Sequence, residues 1–268
     1  MPYKDVLYEK RDGVATVTIN RPKVLNAFRA ETVEEMLEAV QDADYDDTVG
    51  VIVLAGAGDR AFCAGGDNTA RADSASEQGG GYGGRGLVGM PIEELHSAIR
   101  DARKPVIAKV QGYAIGGGNV LATVCDLTIA SEKAVFGQVG PRVGSVDPGW
   151  GTAYLARLVG EKRAREIWFL CRRYTAAEAF QMGLVNKVVP ADQLDAEVEA
   201  WCREILALSP TAIAIAKRSF NADSENIRSI GALGFEALAL YYGTEEAQEG
   251  TTAFLEKRPP NFRAKRRK

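Results

Sequence analysis

The fold class that the sequence predicts is α/β, and three observations predict it. Short β-rich runs alternate with segments that repeat apolar residues every three to four positions. The strand-like runs are apolar almost throughout, which is typical of parallel strands that helices cover on both faces. After about Gly160 the pattern turns almost wholly helical. A sheet core followed by a helical C-terminal part is therefore expected.

The predicted elements follow in chain order. The strand runs are GVATVTIN (13–20), GVIVLAG (50–56), KPVIAKVQG (104–112) and DLTIAS (126–131). The first helical pattern is ETVEEMLEAVQDA (31–43), and EELHSAIRD predicts an amphipathic helix with the only histidine, His96, at a surface or an interface. The later helical segments are EKRAREIWFLC, TAAEAFQMG, LDAEVEAWCREILAL, PTAIAIAKRSFNA and the stretch from Ile230 to Glu256.

Composition and charge argue against several kinds of partner. The 268 residues carry a net charge of −3 and a pI near 5.5, which gives no general field for nucleic acid. No stretch approaches the roughly 20 apolar residues that span a bilayer, so no membrane partner is expected. Four scattered cysteines form no CxxC pair, which argues against a metal site or disulfides and favours the cytoplasm: Cys63, Cys125, Cys171 and Cys202.

Two segments are unusual in composition. The stretch SASEQGGGYGGRGLVG (74–89) is rich in glycine, and we expect it to be mobile when no ligand is bound, either as a lid or as a loop without function. Basic residues crowd the C-terminus, either as a solvated tail or with Lys257 meeting a polyanionic ligand. They are Lys257, Arg258, Arg263, Lys265, Arg266, Arg267 and Lys268.

Two glycine-rich loops are the first candidate site. AFCAGGD (61–67) and GYAIGGGN (112–119) each follow a strand pattern. Without Cβ atoms, their N–H groups can converge on one oxygen and form an oxyanion hole. Either loop alone is more simply a tight turn between a strand and a helix, and neither has the GK[ST] or GxGxxG pattern of a phosphate loop.

With their flanks, the two loops resemble the crotonase (enoyl-CoA hydratase/isomerase) superfamily. The resemblance covers nearly the whole chain, including INRPKVLNAF (19–28), FGQVGPRVGSVDPGWGT (136–152) and FLEKRPPNF (254–262). It implies a crotonase (ClpP-like) spiral of ββα units over residues 1–200 and a helical region over 201–268 that covers CoA and forms a homotrimer or homohexamer. It implies that the backbone N–H groups of Gly66 and Gly117 bind a thioester oxygen.

The chain departs from the hydratase pattern at two positions. Enoyl-CoA hydratases carry two glutamates that handle water, and here Val120 and Gly140 stand in those places. Neither residue can transfer a proton, so hydration by the usual glutamate pair is disfavoured. The remaining candidate lies in GSVDPGWG, where Ser145 and Asp147 can project to the same side. By spacing alone Asp147 is an ordinary turn residue before Pro148; the resemblance makes it the candidate proton carrier, with Trp150 as a pocket wall.

Two families within the superfamily resemble this chain in finer detail. The segments GQVGPRVGSVDPGWG, REIWFLCR and TEEAQEG are similar to 1,4-dihydroxy-2-naphthoyl-CoA synthase and to 2-ketocyclohexanecarboxyl-CoA hydrolase. The resemblance implies that Tyr242 reaches a neighbouring subunit's site and that Tyr82 contributes from the glycine-rich segment. Residues 82–101, 110–129, 143–153 and 210–223 look more like the hydrolase of aromatic-ring degradation, which we favour over the synthase of menaquinone biosynthesis.

The resemblance also implies where the substrate, an acyl-CoA thioester, is bound. The expected contacts with the acyl-CoA are Lys23, Val24, Leu25, Ala27, Ala64, Gly65, Asp67, Gly140, Trp150, Phe254 and Lys257. CoA is part of the substrate, so neither a separate cofactor nor a metal is expected. A different class of function stays open, which is a catalytically silent subunit that binds acyl-CoA.

Overall fold

The computed structural model describes residues 3–78 and 81–263, and within them the chain alternates strands and helices as predicted. The ten strands are β1 (Val6–Arg11), β2 (Val14–Ile19), β3 (Val51–Gly56), β4 (Ala61–Cys63), β5 (Val106–Val110), β6 (Tyr113–Ile115), β7 (Leu127–Ser131), β8 (Val135–Gly137), β9 (Arg173–Thr175) and β10 (Lys187–Val189). All four predicted strand runs are confirmed, as β2, β3, β5 and β7. The α/β class is confirmed with them.

Twelve helices are described. They are α1 (Ala30–Tyr45), α2 (Asn68–Gln78), α3 (Ile92–Asp101), α4 (Gly117–Val124), α5 (Gly140–Val143), α6 (Ala153–Val159), α7 (Glu161–Leu170), α8 (Ala176–Gln181), α9 (Leu194–Leu206), α10 (Pro210–Asp223), α11 (Asn226–Tyr242) and α12 (Glu245–Leu255). The predicted helical stretch from Ile230 to Glu256 is two helices, because Thr244 caps a new helix by accepting a hydrogen bond from the N–H of Ala247. None of the described helices has the length and apolar character needed to cross a membrane.

The strands form two sheets that the chain visits in turn. The larger sheet has the order β1-β2-β3-β5-β7-β10, and all its pairs are parallel except β1 with β2. The smaller sheet has the order β4-β6-β8-β9. A long strand of the first sheet is followed by a short strand of the second and then by a helix, as in β5, β6 and α4. This repeated ββα unit is the spiral that the resemblance predicts.

The larger sheet is buried on both faces, as its apolar runs predict. Alternate residues of β3 point to opposite sides, with Ile52 and Leu54 in the main core and Val51 and Val53 in a second cluster. In the second cluster they pack with apolar residues of α9, including Val198. The main core contains the buried faces of α1 and α3.

Part of the glycine-rich segment 74–89, which composition predicts to be mobile, packs against the core. Helix α2 runs to Gln78, and Gly79 and Gly80 lie outside the described residues. From Gly81 onward the chain forms hydrogen-bonded turns, and the N–H of Tyr82 donates to the carbonyl of Val88 at 2.9 Å. Both Tyr82 and Val88 are buried, which anchors this part of the segment to the core.

His96 is buried, so its predicted surface or interface position is wrong. It lies on the same face of α3 as Ile92 and Ile99 and has no exposed surface. Neither ring nitrogen has a hydrogen-bond partner within the described structure. Burial lowers the pKa of His96 from 6.5 to about 3, because the charged imidazolium would lose its hydration.

This buried imidazole predicts acid lability. Since its pKa is lower in the folded chain, the unfolded chain binds the extra proton, and the free energy of unfolding falls as the pH drops from about 6.5 towards 3. The slope from this group is about 1.4 kcal/mol per pH unit. Urea unfolding of wild type and His96→Leu between pH 7 and pH 4.5 measures it. Equal pH dependence in the two proteins would show that His96 is not buried in solution.

Candidate active site

The two glycine loops lie side by side because the short strands that precede them are neighbours. Strand β6 pairs in parallel with β4 on one side and β8 on the other, so the carboxyl ends of all three strands meet at one edge. The N–H of Phe28 donates to the carbonyl of Gly65 at 2.9 Å and closes this edge from the other side. Residues after each of the three strands line one cavity.

The loops touch through backbone alone. A Cβ on Gly65, which has φ +88°, would lie 3.0 Å from the amide nitrogen of Gly117. A Cβ on Gly118 would overlap the carbonyl oxygen of Cys63. Among the described residues, neither the Gly66 nor the Gly117 amide donates to a backbone carbonyl, and both residues line the cavity. Two N–H groups without backbone partners are therefore available to a ligand oxygen.

Asp147 lies in the turn that follows α5 and lines the same cavity. Its Oδ1 atom is buried without a hydrogen-bond partner in the described structure, and Gly151 lies close to the Asp147 side chain. Burial is the main reason that the pKa of Asp147 is raised to about 7, a value to which the Gly151 amide contributes a lowering effect and the charge of Glu93 a small raising one. At neutral pH this carboxyl can both accept and release a proton.

Ser145 and Tyr242 form a hydrogen-bonded pair beside Asp147. The Ser145 Oγ and Tyr242 Oη atoms are 2.8 Å apart, and both residues line the cavity. Helix α11 brings Tyr242 to the cavity of its own chain, where Phe235 and Leu238 also line the cavity. That Tyr242 reaches a neighbouring subunit's site stays a prediction. The guanidinium of Arg71 lies 4.8 Å from the centroid of the Tyr242 ring.

Tyr82 lies in front of the first glycine loop. A Cβ on Gly66 would overlap the Tyr82 hydroxyl, so only glycine leaves room for the phenol. Burial raises the pKa of Tyr82, which keeps the phenol protonated at neutral pH and able to donate. Two tyrosines, one serine and one aspartate thus line the same cavity as Gly66 and Gly117.

Helix α12 packs directly on the turn that carries Ser145 and Asp147. A Cβ on Gly250 would overlap the amide nitrogen of Gly144, and a Cβ on Gly144 would overlap the carbonyl of Ala247. Arg71 joins the same region from α2, donating to the carbonyl of Val143 at 2.6 Å and to the hydroxyl of Thr251. The C-terminal helices therefore form one wall of the site.

The structure brings many of the predicted site residues together in the cavity. They are Ala64, Gly65, Gly66, Tyr82, Gly117, Gly140, Ser145, Asp147 and Tyr242. The segment from Lys23 to Ala27 lies next to the first glycine loop, since the N–H of Ala64 donates to the carbonyl of Leu25 at 3.1 Å; Val24 in this segment is exposed. Phe254 and Lys257 line a separate surface cavity on the far side of α5.

Two further predicted contacts, Trp150 and Asp67, also lie outside the cavity. The prediction that Trp150 forms a wall of the pocket is wrong, because its ring turns away to pack edge-on against Tyr154 and beneath the Arg100 guanidinium. Asp67 is also outside the cavity lining. Its carboxylate pairs with Arg21 at 3.0 Å and accepts a hydrogen bond from the N–H of Thr69 in the first turn of α2.

Among the cavity residues that sequence reasoning missed are Arg71, Gln138 and Trp168. Gln138 is buried with both amide atoms unpartnered in the described structure. The indole N–H of Trp168 donates to the carbonyl of Gly151, which lies next to the Asp147 side chain. Gln138 follows β8 at the same edge as the glycine loops, so its position after a short strand is the signal that was available.

Comparison with known proteins agrees with this geometry. The family model described as enoyl-CoA hydratase/isomerase matches residues 9–265, which is most of the chain. The chain belongs to the enoyl-CoA hydratase/isomerase family. It is therefore a member of the crotonase superfamily, and its spiral of ββα units with C-terminal helices is the crotonase fold.

Solved structures of this family are similar over nearly their full length. An enoyl-CoA hydratase from Mycobacterium avium subsp. paratuberculosis is 32% identical with a TM-score of 0.85, covering 97% of this chain and 99% of that one. A carnitinyl-CoA hydratase from Mycobacterium avium is 30% identical with a TM-score of 0.81, covering 97% and 98%. As a member of the hydratase/isomerase family, this chain is an acyl-CoA enzyme.

The Ser145–Tyr242 pair gives a prediction for this member of the family. Tyr242→Phe removes the hydroxyl that Ser145 contacts, and we expect kcat to fall about tenfold with little change in KM, because Tyr82 remains as a second phenol. The free energy of unfolding should change by about 1 kcal/mol or less. Steady-state kinetics of Tyr242→Phe beside Tyr241→Phe, which changes the adjacent tyrosine, measures this. An equal loss in both variants would contradict a role for the hydroxyl.

Proposed function

We propose that this enzyme hydrolyses the ring of a cyclic β-keto acyl-CoA, such as 2-ketocyclohexanecarboxyl-CoA, and releases a ring-opened product such as pimeloyl-CoA. The observation that carries the proposal is Asp147, a single carboxylate with a pKa near 7 in the same cavity as two free backbone amides. Hydration by a glutamate pair is disfavoured, because the buried Val120 and the cavity residue Gly140 occupy the two places.

The two amides suit a substrate that becomes negatively charged on its thioester oxygen. When the bond between the ring ketone and the α-carbon breaks, its electron pair moves to the α-carbon and is delocalised onto that oxygen. The N–H groups of Gly66 and Gly117 would stabilise this enolate more strongly than the neutral thioester. The ring fragment then becomes an acceptable leaving group.

Asp147 would act as the general base that takes a proton from the attacking water. The ionised carboxylate takes a proton from water, and the hydroxide formed adds to the ketone carbon. The tetrahedral intermediate collapses to a carboxylic acid as the C–C bond breaks, and Tyr242 or Tyr82 gives a proton to the α-carbon. The tyrosinate takes its proton back from the new carboxylic acid, which leaves as a carboxylate, and Asp147 releases its proton to solvent. One water is consumed in all, and the product is a dicarboxylic mono-thioester.

The CoA part of the substrate needs binding groups outside the cavity. We propose that adenine lies along the segment from Lys23 to Ala27, which the Ala64–Leu25 hydrogen bond joins to the first glycine loop. Lys257, exposed in the second cavity beside Arg142, is a candidate for the phosphates. No cofactor beyond the CoA of the substrate enters this scheme.

A homotrimer or homohexamer remains a prediction. Its support is the outer side of α10 and α11, which exposes large apolar residues that a monomer would leave in water. They are Ile215, Phe220, Ile230, Leu233 and Leu240.

Product mass tests the proposed reaction. The purified protein is incubated with 2-ketocyclohexanecarboxyl-CoA and, separately, with o-succinylbenzoyl-CoA. Ring hydrolysis adds the mass of one water to the first compound, whereas naphthoate synthase activity removes one water from the second. We expect the first result. Turnover of the second compound alone would replace the proposal with the synthase, and tight binding of both without turnover would favour a silent acyl-CoA-binding subunit.

A further inference from the structure

Gln138 is a cavity residue whose side-chain amide has no partner. Its exposed fraction is 1%, and neither Nε2 nor Oε1 makes a hydrogen bond among residues 3–78 and 81–263. A buried amide left in this state costs free energy, so native proteins rarely keep one unless a water or a ligand completes its hydrogen bonds. Because Gln138 lines the cavity, the substrate can supply the missing partner.

The backbone places Gln138 between two parts of the site. Immediately before it, the carbonyl of Gly137 accepts a hydrogen bond of 2.9 Å from the N–H of Gly116 in the second glycine loop. Two residues after it, the carbonyl of Gly140 accepts a hydrogen bond of 2.9 Å from the N–H of Ser145. A Cβ on Gly140 would overlap the carbonyl oxygen of Ser145, so these two backbones touch. Gln138 is thus joined on one side to a loop of the oxyanion hole and on the other to the turn that carries the general base.

Three other donors of the cavity wall are engaged within the protein. The hydroxyls of Ser145 and Tyr242 are hydrogen-bonded to each other at 2.8 Å. The guanidinium of Arg71 donates to the carbonyl of Val143 and to the hydroxyl of Thr251. Among the described residues that line the cavity, the fully buried side chain with a free N–H donor is therefore the amide at position 138.

The proposed reaction creates negative charge on two different oxygens. The enolate oxygen belongs to the thioester, and the amides of Gly66 and Gly117 bind it. Before the enolate forms, hydroxide adds to the ring ketone, and the electron pair of the C=O bond moves to the ketone oxygen. This alkoxide needs a donor of its own, because the two glycine amides hold the thioester oxygen. A donor fixed in place before the reaction stabilises such a charge without having to reorient.

We propose that the side-chain amide of Gln138 is this second oxyanion site, and that its Nε2 group binds the ring ketone oxygen. The inference rests on the proposed function, in which hydroxide adds to a ketone. No proton moves to or from Gln138: when the C–C bond breaks, the electron pair on the alkoxide forms the C=O bond of the new carboxylic acid. A neutral amide suits this role, because it does not compete with Asp147 as a base.

The same contact makes Gln138 a specificity determinant. A site built to hydrogen-bond a substrate oxygen rejects an analogue that lacks this oxygen, because the buried polar group of the protein is then left unpaired. The enzyme should therefore select acyl-CoA thioesters that carry an oxygen on the ring carbon next to the α-carbon.

The first test measures binding without turnover. Wild type and Gln138→Met are titrated calorimetrically with 2-hydroxycyclohexanecarboxyl-CoA, which has an oxygen on a tetrahedral ring carbon, and with cyclohexanecarboxyl-CoA, which lacks it. We expect wild type to prefer the hydroxy compound about five- to tenfold, the effect of one hydrogen bond to a buried polar group, and Gln138→Met to lose this preference. The control Gln181→Met makes the same side-chain change at an exposed position and should keep the preference.

The second test measures turnover and folding. We expect kcat of Gln138→Met with 2-ketocyclohexanecarboxyl-CoA to fall about 100-fold, as for the loss of one oxyanion donor. The thermal unfolding midpoint should not fall, because the amide has no partner in the described structure to lose.

Two results would overturn the inference: an undiminished preference for the hydroxy compound in Gln138→Met, or a kcat equal to that of wild type. The preference is a ratio of two affinities, so a partly unfolded sample does not change it. If wild type shows a preference that depends on Gln138 but cleaves no ring, the proposed reaction fails while the binding role of Gln138 stands. If wild type cleaves the ring and Gln138→Met does so equally fast, the reaction stands and the role of Gln138 fails.

Discussion

Asp147→Asn is expected to abolish turnover, lowering kcat by about 10³–10⁴-fold, near the upper end of what a positioned acid or base contributes. The side-chain amide of asparagine fills nearly the same space as the carboxylate but cannot take a proton from water. Acyl-CoA binding should persist, because the amides of Gly66 and Gly117 are untouched. Rapid-mix kinetics and calorimetric binding of an acyl-CoA, with the exposed Asp192→Asn as control, separate the two effects. Unchanged turnover would remove Asp147 from the reaction.

The same substitution should stabilise the fold at alkaline pH. The pKa of Asp147 is raised from 3.8 to about 7 in the folded chain, so the folded state holds its proton more tightly than the unfolded state does. Stability is therefore lost as pH rises from about 4 through 7. Asparagine never ionises, and we expect Asp147→Asn to exceed wild type by about 1–3 kcal/mol at pH 8, with the difference vanishing near pH 4.

The second large effect is expected from Gly118→Ala. The new Cβ would overlap the carbonyl oxygen of Cys63 and lie 2.8 Å from the Cys63 Cβ, and neither backbone can move aside without separating the two glycine loops. Losing the alignment of one donor of an oxyanion hole costs on the order of 100- to 1,000-fold in kcat. Binding of the CoA portion should be affected less, because its expected contacts lie elsewhere.

The control for Gly118→Ala is another glycine-to-alanine change in a helix. A Cβ on Gly231 would meet no atom within 4 Å, so Gly231→Ala should keep full activity and lose no stability. Steady-state kinetics and urea unfolding of both variants measure the difference. Full activity in a folded Gly118→Ala protein would contradict the claim that contact between the loops creates the site.

The long strands were predictable because each carries a run of apolar residues bounded by turn residues, as in β3 and β5. The three-residue strands β4, β6 and β8 were not predictable, because so short a run has no period to read. Yet these strands set the geometry, since their parallel pairing brings the loops after them to one edge. The sequence therefore predicts the long strands better than it predicts that the loops after the short strands meet at one edge of the sheet.

The candidate site divides in the same way. The glycine loops and the Ser145–Asp147 turn can be recognised as motifs, because the functional residues of each lie next to one another in the sequence. The burial of Tyr82 and of His96 arises where segments far apart in sequence pack together. Composition suggested a mobile loop at Tyr82, and one apolar face of α3 contains His96 among its aliphatic residues. Neither outcome follows from local pattern alone.

The glycine contact between α12 and the Ser145–Asp147 turn limits how this enzyme can be recombined with its relatives. At Gly144 and Gly250 the two backbones touch with no side chain between them to adjust a mismatch. A chimaera that takes its last two helices from another family member would have to inherit the matching turn as well. Helix α12 and the Ser145–Asp147 turn therefore have to be exchanged together, although about a hundred residues separate them along the chain.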